Sequence, residues 1–305
     1  MRFFRSLKKI PDSLHGGIVV IGNFDGVHQG HRRLLSTAAD IARAEKRPLI
    51  LLTFIPHPAA FFRPGNEGFL ITPTRAKVRA LSAFPPDAVV FMPFNEKLAH
   101  LSAEKFVSTV LIDGLRAARV VAGEDFSFGA KREGTAAFLS ERFPDLPVTV
   151  VAKSRDENGE IVSSSRIRSF LRDGNVRKAA ELLGRPFEIE GYVVHGFARG
   201  RTLGFPTANI TTLTSIVPKR GVYAAKVLFD GKEYDAVANI GVRPTVAGRD
   251  IWLEAHLFDF DGDLYGKRLR VLFIDFIRPE KRFASLNELT QNIVTDCETA
   301  AEILK

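Results

Sequence analysis

The chain has 305 residues, of which 45% are hydrophobic and 26% are charged, and its formal net charge is +8. This length suggests two domains with cores of their own, and the composition is ordinary for a soluble globular protein, without a low-complexity tract or an internal repeat. The apolar run at residues 49–55 is too short to cross a bilayer, and the basic first residues lack the apolar stretch of a secretory signal. Cys297 is the single cysteine, so an intrachain disulfide is excluded and we expect a cytoplasmic location.

The excess positive charge lies in the first part of the chain. Residues 1–183 carry 27 Lys and Arg against 19 Asp and Glu, whereas residues 184–305 carry 16 of each. This bias suits a polyphosphate ligand and a nucleic acid equally well. Because the basic residues are scattered rather than gathered in an arm, we favour a small anionic ligand.

The first part of the chain alternates short apolar strands with helical patterns. Strands are predicted at residues 18–21, 49–54, 88–92, 119–122 and 148–152, with helices near residues 32–45, 74–84, 103–112 and 135–143. This order predicts a parallel, Rossmann-like α/β sheet with ligands at the carboxyl ends of its strands. The G-x-G-x-x-G fingerprint is absent, so no nicotinamide cofactor is implied.

The first strand-to-helix turn has the sequence GNFDGVHQGH, residues 22–31. Turns of this kind present backbone N–H groups and a helix N-terminus to an anion. His28 and His31 are three residues apart and can point the same way, and Gly30 removes a side chain where a flat group could approach. A metal site is an alternative, although no cysteine or third histidine lies nearby in the sequence. We prefer stabilisation of phosphate charge.

Three later segments of the first part also carry unusual residues. TFIPHP at residues 53–58 leads into a pair of phenylalanines, and GEDFSFG at residues 123–129 carries phenylalanines that we expect to be exposed and to stack on a flat aromatic ligand. SSSRIR at residues 163–168 combines serine caps with two arginines and forms an anion cradle before a short helix. Arg166 and Arg168 cannot share one helix face, so we expect one of them to reach phosphate.

These four segments resemble, in the same order, those of the bacterial bifunctional riboflavin kinase/FMN adenylyltransferases, and the HxGH element resembles that of nucleotidyltransferases. The resemblance implies that His28 and His31 are catalytic contacts to the ATP phosphates. The ATP-binding residues that it implies in this domain are Gly22, Phe24, Gly26, His28, Gly30, His31, Ser164, Ser165 and Arg166. The flavin-binding residues that it implies here are Phe54, Phe62, Asp125 and Phe128.

The chemistry of adenylyl transfer agrees with such a site. The attacking group is a phosphate monoester, which is mostly a dianion near neutral pH because its second pKa is about 6. No general base is then needed, and the site must position the reactants and stabilise charge on the transferred and leaving phosphates.

A change of pattern follows Gly184 and Pro186, which end the last helix of the first part, so we predict domains at residues 1–184 and 185–305. Strands are predicted at residues 187–195, 222–229, 232–240, 251–258 and 269–277. Consecutive strands without intervening helices predict a small antiparallel β-barrel. One apolar stripe of a C-terminal helix should pack on it, namely Leu286, Leu289, Ile293, Cys297, Ala300 and Leu304.

The second part carries the sequence PTAN at residues 206–209, which resembles the motif of riboflavin kinases. Thr207 and Asn209 should project to the same side of an extended segment, and their oxygens suit Mg²⁺. The resemblance implies Glu254 as the catalytic base that deprotonates the alcohol. The further ATP-binding residues that it implies are Gly196, Gly200, Arg201, Gly204 and Thr207, with Asn239 and Arg243 at the flavin.

The sequence therefore predicts an α/β domain followed by a β-barrel domain, in an enzyme that phosphorylates riboflavin to FMN and adenylylates FMN to FAD, with ATP and Mg²⁺ in both steps. Two alternatives are a nucleotidyltransferase with another acceptor and an RNA-binding protein with a basic Rossmann domain. The neutral barrel and the lack of an RNA-contacting aromatic motif argue against the second alternative. We expect small-molecule substrates and neither nucleic acid nor membrane as partner, and weak self-association stays open.

Overall fold

The computed structural model describes residues 1–62, 68–195, 204–211, 215–245 and 248–305, with the backbone alone at 243–245 and 248–250. The described residues fall into two compact units. The first draws on residues 1–66 and 74–163, and the second on residues 67–73 and 164–305.

The first unit is built on a parallel sheet. Its strands are β1 (Arg2–Phe4), β2 (Ile18–Ile21), β3 (Leu49–Ile55), β4 (Ala88–Pro93), β5 (Arg119–Gly123) and β6 (Val148–Val151). They lie in the order β1–β4–β3–β2–β5–β6, and every neighbouring pair is parallel. The order reverses between β2 and β5, and the crevice outside the carboxyl ends of two such strands is where open α/β sheets bind ligands. The predicted Rossmann-like sheet is confirmed.

Helices cover both faces of this sheet. They are α1 (Gln29–Ala44), α2 (Pro58–Phe61), α3 (Thr74–Leu81), α4 (Glu96–Ala99), α5 (Ala103–Phe106) with π-helical turns at Val107–Ile112, and α6 (Ala136–Arg142). Leu35 and Ala38 of α1 pack against Ile18 and Val20 on one face. The α5 segment packs on the other face through Phe106 and its neighbours. Burial on both faces explains why the strands are near-continuous apolar runs.

The second unit begins with two helices and continues as a barrel. The helices are α7 (Ser164–Asp173) and α8 (Val176–Leu183). The strands are β7 (Phe187–Val194), β8 (Ala208–Ile210), β9 (Gly221–Phe229), β10 (Lys232–Thr245), β11 (Gly248–Leu257) and β12 (Arg268–Arg278), followed by α9 (Leu286–Leu304). The strands close into an antiparallel barrel in the order β10–β11–β8–β7–β12–β9. The predicted barrel with its terminal helix is confirmed.

Alternate residues of β11 point in opposite directions, as a strand period of two requires. Leu253 and Ala255 are buried inside the barrel, whereas Trp252, Glu254 and His256 are half-buried on its outer surface. The interior is therefore closed with apolar side chains, and polar chemistry in this unit has to lie on the outside of the barrel.

The C-terminal helix α9 covers part of that outer surface. Ala300 and Cys297 pack against Val222 and Val237 of the barrel. The predicted stripe is wrong at its first residue, because Leu286 is 70% exposed at the start of the helix. A two-pronged ion pair adds to the packing, with Nε and Nη2 of Arg278 donating to the Asp296 carboxylate at 2.7 and 2.6 Å.

The helices of residues 164–183 belong to the barrel unit, although the predicted domain boundary lies after them at residue 184. The apolar face of α8, which includes Leu182 and Leu183, packs on β7 and β12. Arg177 of α8 also pairs with Asp275 of β12 at 2.7 Å. The packing thus divides the chain near residue 163, and residue 184 as a functional boundary stays a prediction.

Candidate functional site

The first candidate site is the turn between β2 and α1, residues 22–28. It contains two non-glycine residues with positive φ, Phe24 at 48° and Val27 at 44°, and Gly26 at 92°. The side chains of Phe24 and Val27 are fully buried in the core that includes α1. Phe24, predicted to bind ATP, therefore has only its backbone to offer to a ligand, because the tight turn directs its ring inward.

His28 and His31 come together at the start of α1. His28 is the N-cap of the helix, and its Nδ1 accepts the backbone N–H of His31 at 3.4 Å. The two imidazole rings stack with their centroids 3.7 Å apart and an angle of 21° between their planes. Gly30 makes this possible, because a Cβ there would lie 3.1 Å from Cε1 of His28. The expectation that the two histidines point the same way is confirmed.

The aromatic residues predicted at the flavin differ in their exposure. Phe62 is 62% exposed, and its ring lies 5.3 Å from that of Phe61 and 5.8 Å from that of Phe94. Phe54 and Phe128 are buried in the core.

The expectation of an exposed Phe128 is therefore wrong. Its ring packs 5.4 Å from Phe106 and 5.5 Å from Phe126, over the space that Gly134 leaves free. Phe126, which is half-buried, is the aromatic residue of that loop nearer to solvent.

Asp125, also predicted near the flavin, has a counter-charge that the sequence analysis missed. Nζ of Lys153, just after β6, lies 3.6 Å from Oδ2 of Asp125, just after β5. Because β5 and β6 are parallel neighbours, residues that follow them meet at one edge of the sheet. The ion pair reduces the repulsion that a lone carboxylate would exert on a phosphate. The pair could have been predicted from the sequence, because both residues follow strands that are neighbours in the predicted parallel sheet.

The serine–arginine segment opens helix α7 and belongs to the second unit. Ser164 is the first residue of α7, and Arg166 is half-buried with its guanidinium 5.3 Å from the Phe170 ring centre. Arg168 is buried, with its guanidinium 3.8 Å from the ring centre of Phe69 and its Nε donating to the Phe69 carbonyl at 3.1 Å. Arg168 thus holds the neighbouring segment, and the placement of Ser164, Ser165 and Arg166 against the histidines stays a prediction.

The second candidate site is a polar row on the outer surface of the barrel. Asn209 of β8 pairs in register with Glu254 of β11, and Glu254 pairs in register with Asn239 of β10. Directly opposed residues of antiparallel strands share one face of the sheet, so the three side chains line up across three strands. Asn209 is 5% exposed, and the other two are half-buried. The predicted residues on three separate segments are therefore brought together.

His256, two residues after Glu254 on the same face, is a neighbour that the sequence analysis missed. Its Nδ1 lies 2.8 Å from the carbonyl oxygen of Pro206 and its ring 5.6 Å from that of Phe205. It thereby anchors the residues that lead to Thr207. His256 could have been predicted from the alternation of side chains along β11, which places residues 254 and 256 on the same side of the strand.

The oxygen donors of this row fit a magnesium ion better than a softer metal. Thr207 and Asn209 alternate along one extended segment, and Glu254 lies beside Asn209. Mg²⁺ takes oxygen ligands and keeps several waters, so a pair of neutral protein oxygens suits it. Among the described residues, no group of three His, Cys, Asp or Glu side chains could hold a metal ion.

Other predicted residues of this site are only partly described. Gly204 is exposed, with a φ of 84° that favours glycine. Gly196, Gly200 and Arg201 lie outside the described residues, as does the side chain of Arg243, whose backbone is in β10.

The fold and the two sites define a class of protein. A doubly wound parallel sheet with paired histidines at its first strand-to-helix turn is typical of a nucleotidyltransferase, and the barrel carries a separate row of oxygen-bearing side chains on its outer surface. Residues 10–166 match the FAD synthetase family, and residues 183–304 match the riboflavin kinase family.

Full-length relatives combine the two activities. The chain is 40% identical over 304 residues to the bifunctional riboflavin kinase/FMN adenylyltransferase of Escherichia coli K12, an alignment that covers 99% of this chain and 96% of the relative. It is 36% identical over 288 residues to the enzyme of the same description from Bacillus subtilis 168, covering 93% and 91%. The chain belongs to the bifunctional riboflavin kinase/FMN adenylyltransferase family. It phosphorylates riboflavin to FMN and adenylylates FMN to FAD with release of pyrophosphate, as the sequence predicts.

A solved structure shares the whole fold. A crystal structure described as a macrolide-efflux protein from Streptococcus pneumoniae superposes with a TM-score of 0.88 at 34% identity, covering 98% of each chain. Within the described part of the present chain, no helix is long and apolar enough to cross a membrane.

Proposed function

We propose that the two reactions take place at the two sites described above, adenylyl transfer at the histidine turn and riboflavin phosphorylation at the polar row of the barrel. The observation that supports the first assignment is the stacked pair of His28 and His31 at the N-terminus of α1. The register of Asn209, Glu254 and Asn239 supports the second.

In adenylyl transfer, the phosphate of FMN attacks the α-phosphorus of ATP and pyrophosphate leaves. Because Nδ1 of His28 accepts the His31 N–H, the neutral ring carries its proton on Nε2, which can donate to a phosphate oxygen. The N-terminus of α1 adds the positive end of its dipole. These groups stabilise charge that grows on the leaving pyrophosphate, and no residue needs to remove a proton from the dianionic nucleophile.

The remaining residues of the adenylylation site would position the substrates. Ser164, Ser165 and Arg166 would bind phosphate oxygens, and Phe62 is exposed and free to stack on the isoalloxazine ring. Phe54 and Phe128 would contribute as buried support behind that ring.

In riboflavin phosphorylation, an alcohol must lose a proton as it attacks the γ-phosphorus of ATP and ADP leaves. Glu254 would accept that proton. Thr207 and Asn209 would hold Mg²⁺, which when bound neutralises charge on the ATP phosphates. His256 would keep Thr207 in place through Pro206, and Asn239, beside Glu254, would contact the flavin.

The experiment is a product analysis of the full-length chain with riboflavin, ATP and Mg²⁺, followed by chromatography of the flavins. The variant His28→Ala is expected to accumulate FMN while FAD formation falls by roughly 10²–10³, the usual scale for loss of one stabilising donor. The exposed His100 of the same unit provides the control His100→Ala, which should form FAD at the wild-type rate. Unchanged FAD formation in His28→Ala would exclude the proposed role.

A further inference from the structure

Helix α3 carries a lysine that the proposed mechanism does not use. Lys77 is only 4% exposed, and its neighbours on the buried face of the helix are Ala76 and Leu81. Lysine is rarely buried to this extent unless its ammonium is paired. The position therefore requires a partner for the charge.

The ammonium of Lys77 is directed at the turn that carries the histidines. Its Nζ donates to the backbone carbonyl of Asn23 at 2.7 Å. Thr53 of β3 donates its hydroxyl to the same oxygen at 3.2 Å. The carboxylate of Asp25, which is 1% exposed, attracts the ammonium electrostatically. Two residues of the turn thus interact with groups outside it, Asn23 through its backbone carbonyl and Asp25 through its carboxylate.

The turn needs such support because its backbone is unusual. Phe24 and Val27 adopt the left-handed region, with φ of 48° and 44°. Side chains with a Cβ rarely adopt this region, and they stay there only when surrounding contacts fix them. His28 follows Val27 directly, so a change in the turn would move its ring relative to the α1 N-terminus.

The protonation of Lys77 is finely balanced. Burial lowers the pKa of its ammonium to about 8, and the Asp25 carboxylate opposes that effect. Among the groups described here, Asp25 is the charged group that faces the ammonium from the turn, and Thr53 and Asn23 supply neutral oxygens. Above this pH the lysine becomes neutral, and the turn loses the positive charge that attracts the Asp25 carboxylate.

We propose that Lys77 is a positioning residue for adenylyl transfer, whose ammonium fixes the Asn23 carbonyl and the Asp25 carboxylate and so holds the turn that presents His28 and His31. The inference rests on the adenylylation site proposed above. Lys77 is too buried to touch a substrate, so it acts through the turn. A displacement of about 1 Å at a reacting group can reduce a rate by about 10²-fold.

The test compares Lys77→Met with wild type in the full-length chain. FAD formation from supplied FMN and ATP is expected to fall between about 10-fold and 10²-fold, chiefly in kcat. Riboflavin phosphorylation by the same chain should stay within twofold, since its residues lie in the other unit. Lys105→Gln, at an exposed lysine of the first unit, should leave both rates unchanged.

Two further measurements separate positioning from general destabilisation. The wild-type adenylylation rate should decline above about pH 8, and that alkaline decline should be absent in Lys77→Met. The double variant Lys77→Met/Asp25→Asn should lose less activity than the product of the two single losses, because residues that act as a unit give non-additive losses.

Three outcomes would overturn the proposal. They are adenylylation by Lys77→Met within twofold of wild type, an equal loss of both activities, and an alkaline decline that persists in the variant. If His28→Ala also left FAD formation unchanged, the proposed adenylylation site itself would be wrong. If His28→Ala were inactive while Lys77→Met was not, only the role of Lys77 would be wrong.

Discussion

Replacing Glu254 with glutamine removes one negative charge and keeps the size of the side chain. Glu254 is half-buried on the outer surface of the barrel, and its neighbours along β11, Leu253 and Ala255, fill the interior. The substitution therefore leaves the core packing intact. Because Glu254 belongs to the polar row beside the buried Asn209, we expect the free energy of unfolding to change by about 1 kcal/mol, the scale of one side-chain hydrogen bond.

The effect on catalysis should be far larger. An amide cannot take the proton of the riboflavin hydroxyl, and loss of a general base reduces a rate by about 10²–10⁴-fold. That range corresponds to about 3–5 kcal/mol of activation free energy. A general base is indicated when the activation free energy changes much more than the free energy of unfolding, whereas a structural carboxylate would change mainly the latter.

The assay measures two rates on one preparation, FMN formation from riboflavin and FAD formation from supplied FMN, both by chromatography. Glu254→Gln should lose the first and keep the second. Glu233→Gln, at an exposed carboxylate of β10 that pairs with Lys226, makes the same chemical change and should keep both. Kinase turnover within tenfold of wild type, or a parallel loss of both rates, would refute the reasoning.

Two predictions concern the stability of the barrel unit. A fragment of residues 164–305 keeps the two helices packed on the barrel. It should unfold at a higher temperature than a fragment of residues 185–305 and should phosphorylate riboflavin faster. Equal melting temperatures and equal rates would show that the helices do not contribute to stability or activity. Asp296→Ala leaves a guanidinium without its two-pronged partner, so we expect a loss of about 2–4 kcal/mol in urea unfolding. Glu302→Ala on the exposed side of the same helix is the control, and matching curves for the two variants would contradict the assigned role of the pair.

Strands with strong local patterns could be predicted from the sequence, whereas strands defined by pairing could not. The run IVVI predicts β2 with the bounds that the structure has, Ile18–Ile21. Strand β1 (Arg2–Phe4) was not predicted, because three residues, two of them exposed, show no hydrophobic period. Only the pairing with β4 defines them as a strand. The strand β8 was not predicted because its three residues, although all buried, are too few to show a period, and its pairing with β7 and β11 defines it.

The candidate site shows the same limit at the level of single side chains. The spacing of His28 and His31 is local, so their approach could be predicted. The burial of Phe128 depends on contacts with Phe106 of α5 and Phe138 of α6, and a loop pattern alone cannot reveal it. Lys77 lies four residues before Leu81 on one face of a helix, a sign that the lysine is buried, but its partner at Asn23 is a tertiary contact.

The alternation of β11 has a consequence for how this barrel can evolve. Glu254, the proposed proton acceptor, alternates along the strand with the core residues Leu253 and Ala255. A single inserted or deleted residue between the β10–β11 connection and Glu254 would therefore turn the carboxylate into the interior and a leucine or alanine out to solvent. Strand β12, which has bulges where it pairs with β9, lies away from the polar row. Length changes are therefore tolerable on that side of the barrel, whereas β11 has to keep its residue count while its inward positions remain open to any apolar exchange of similar volume.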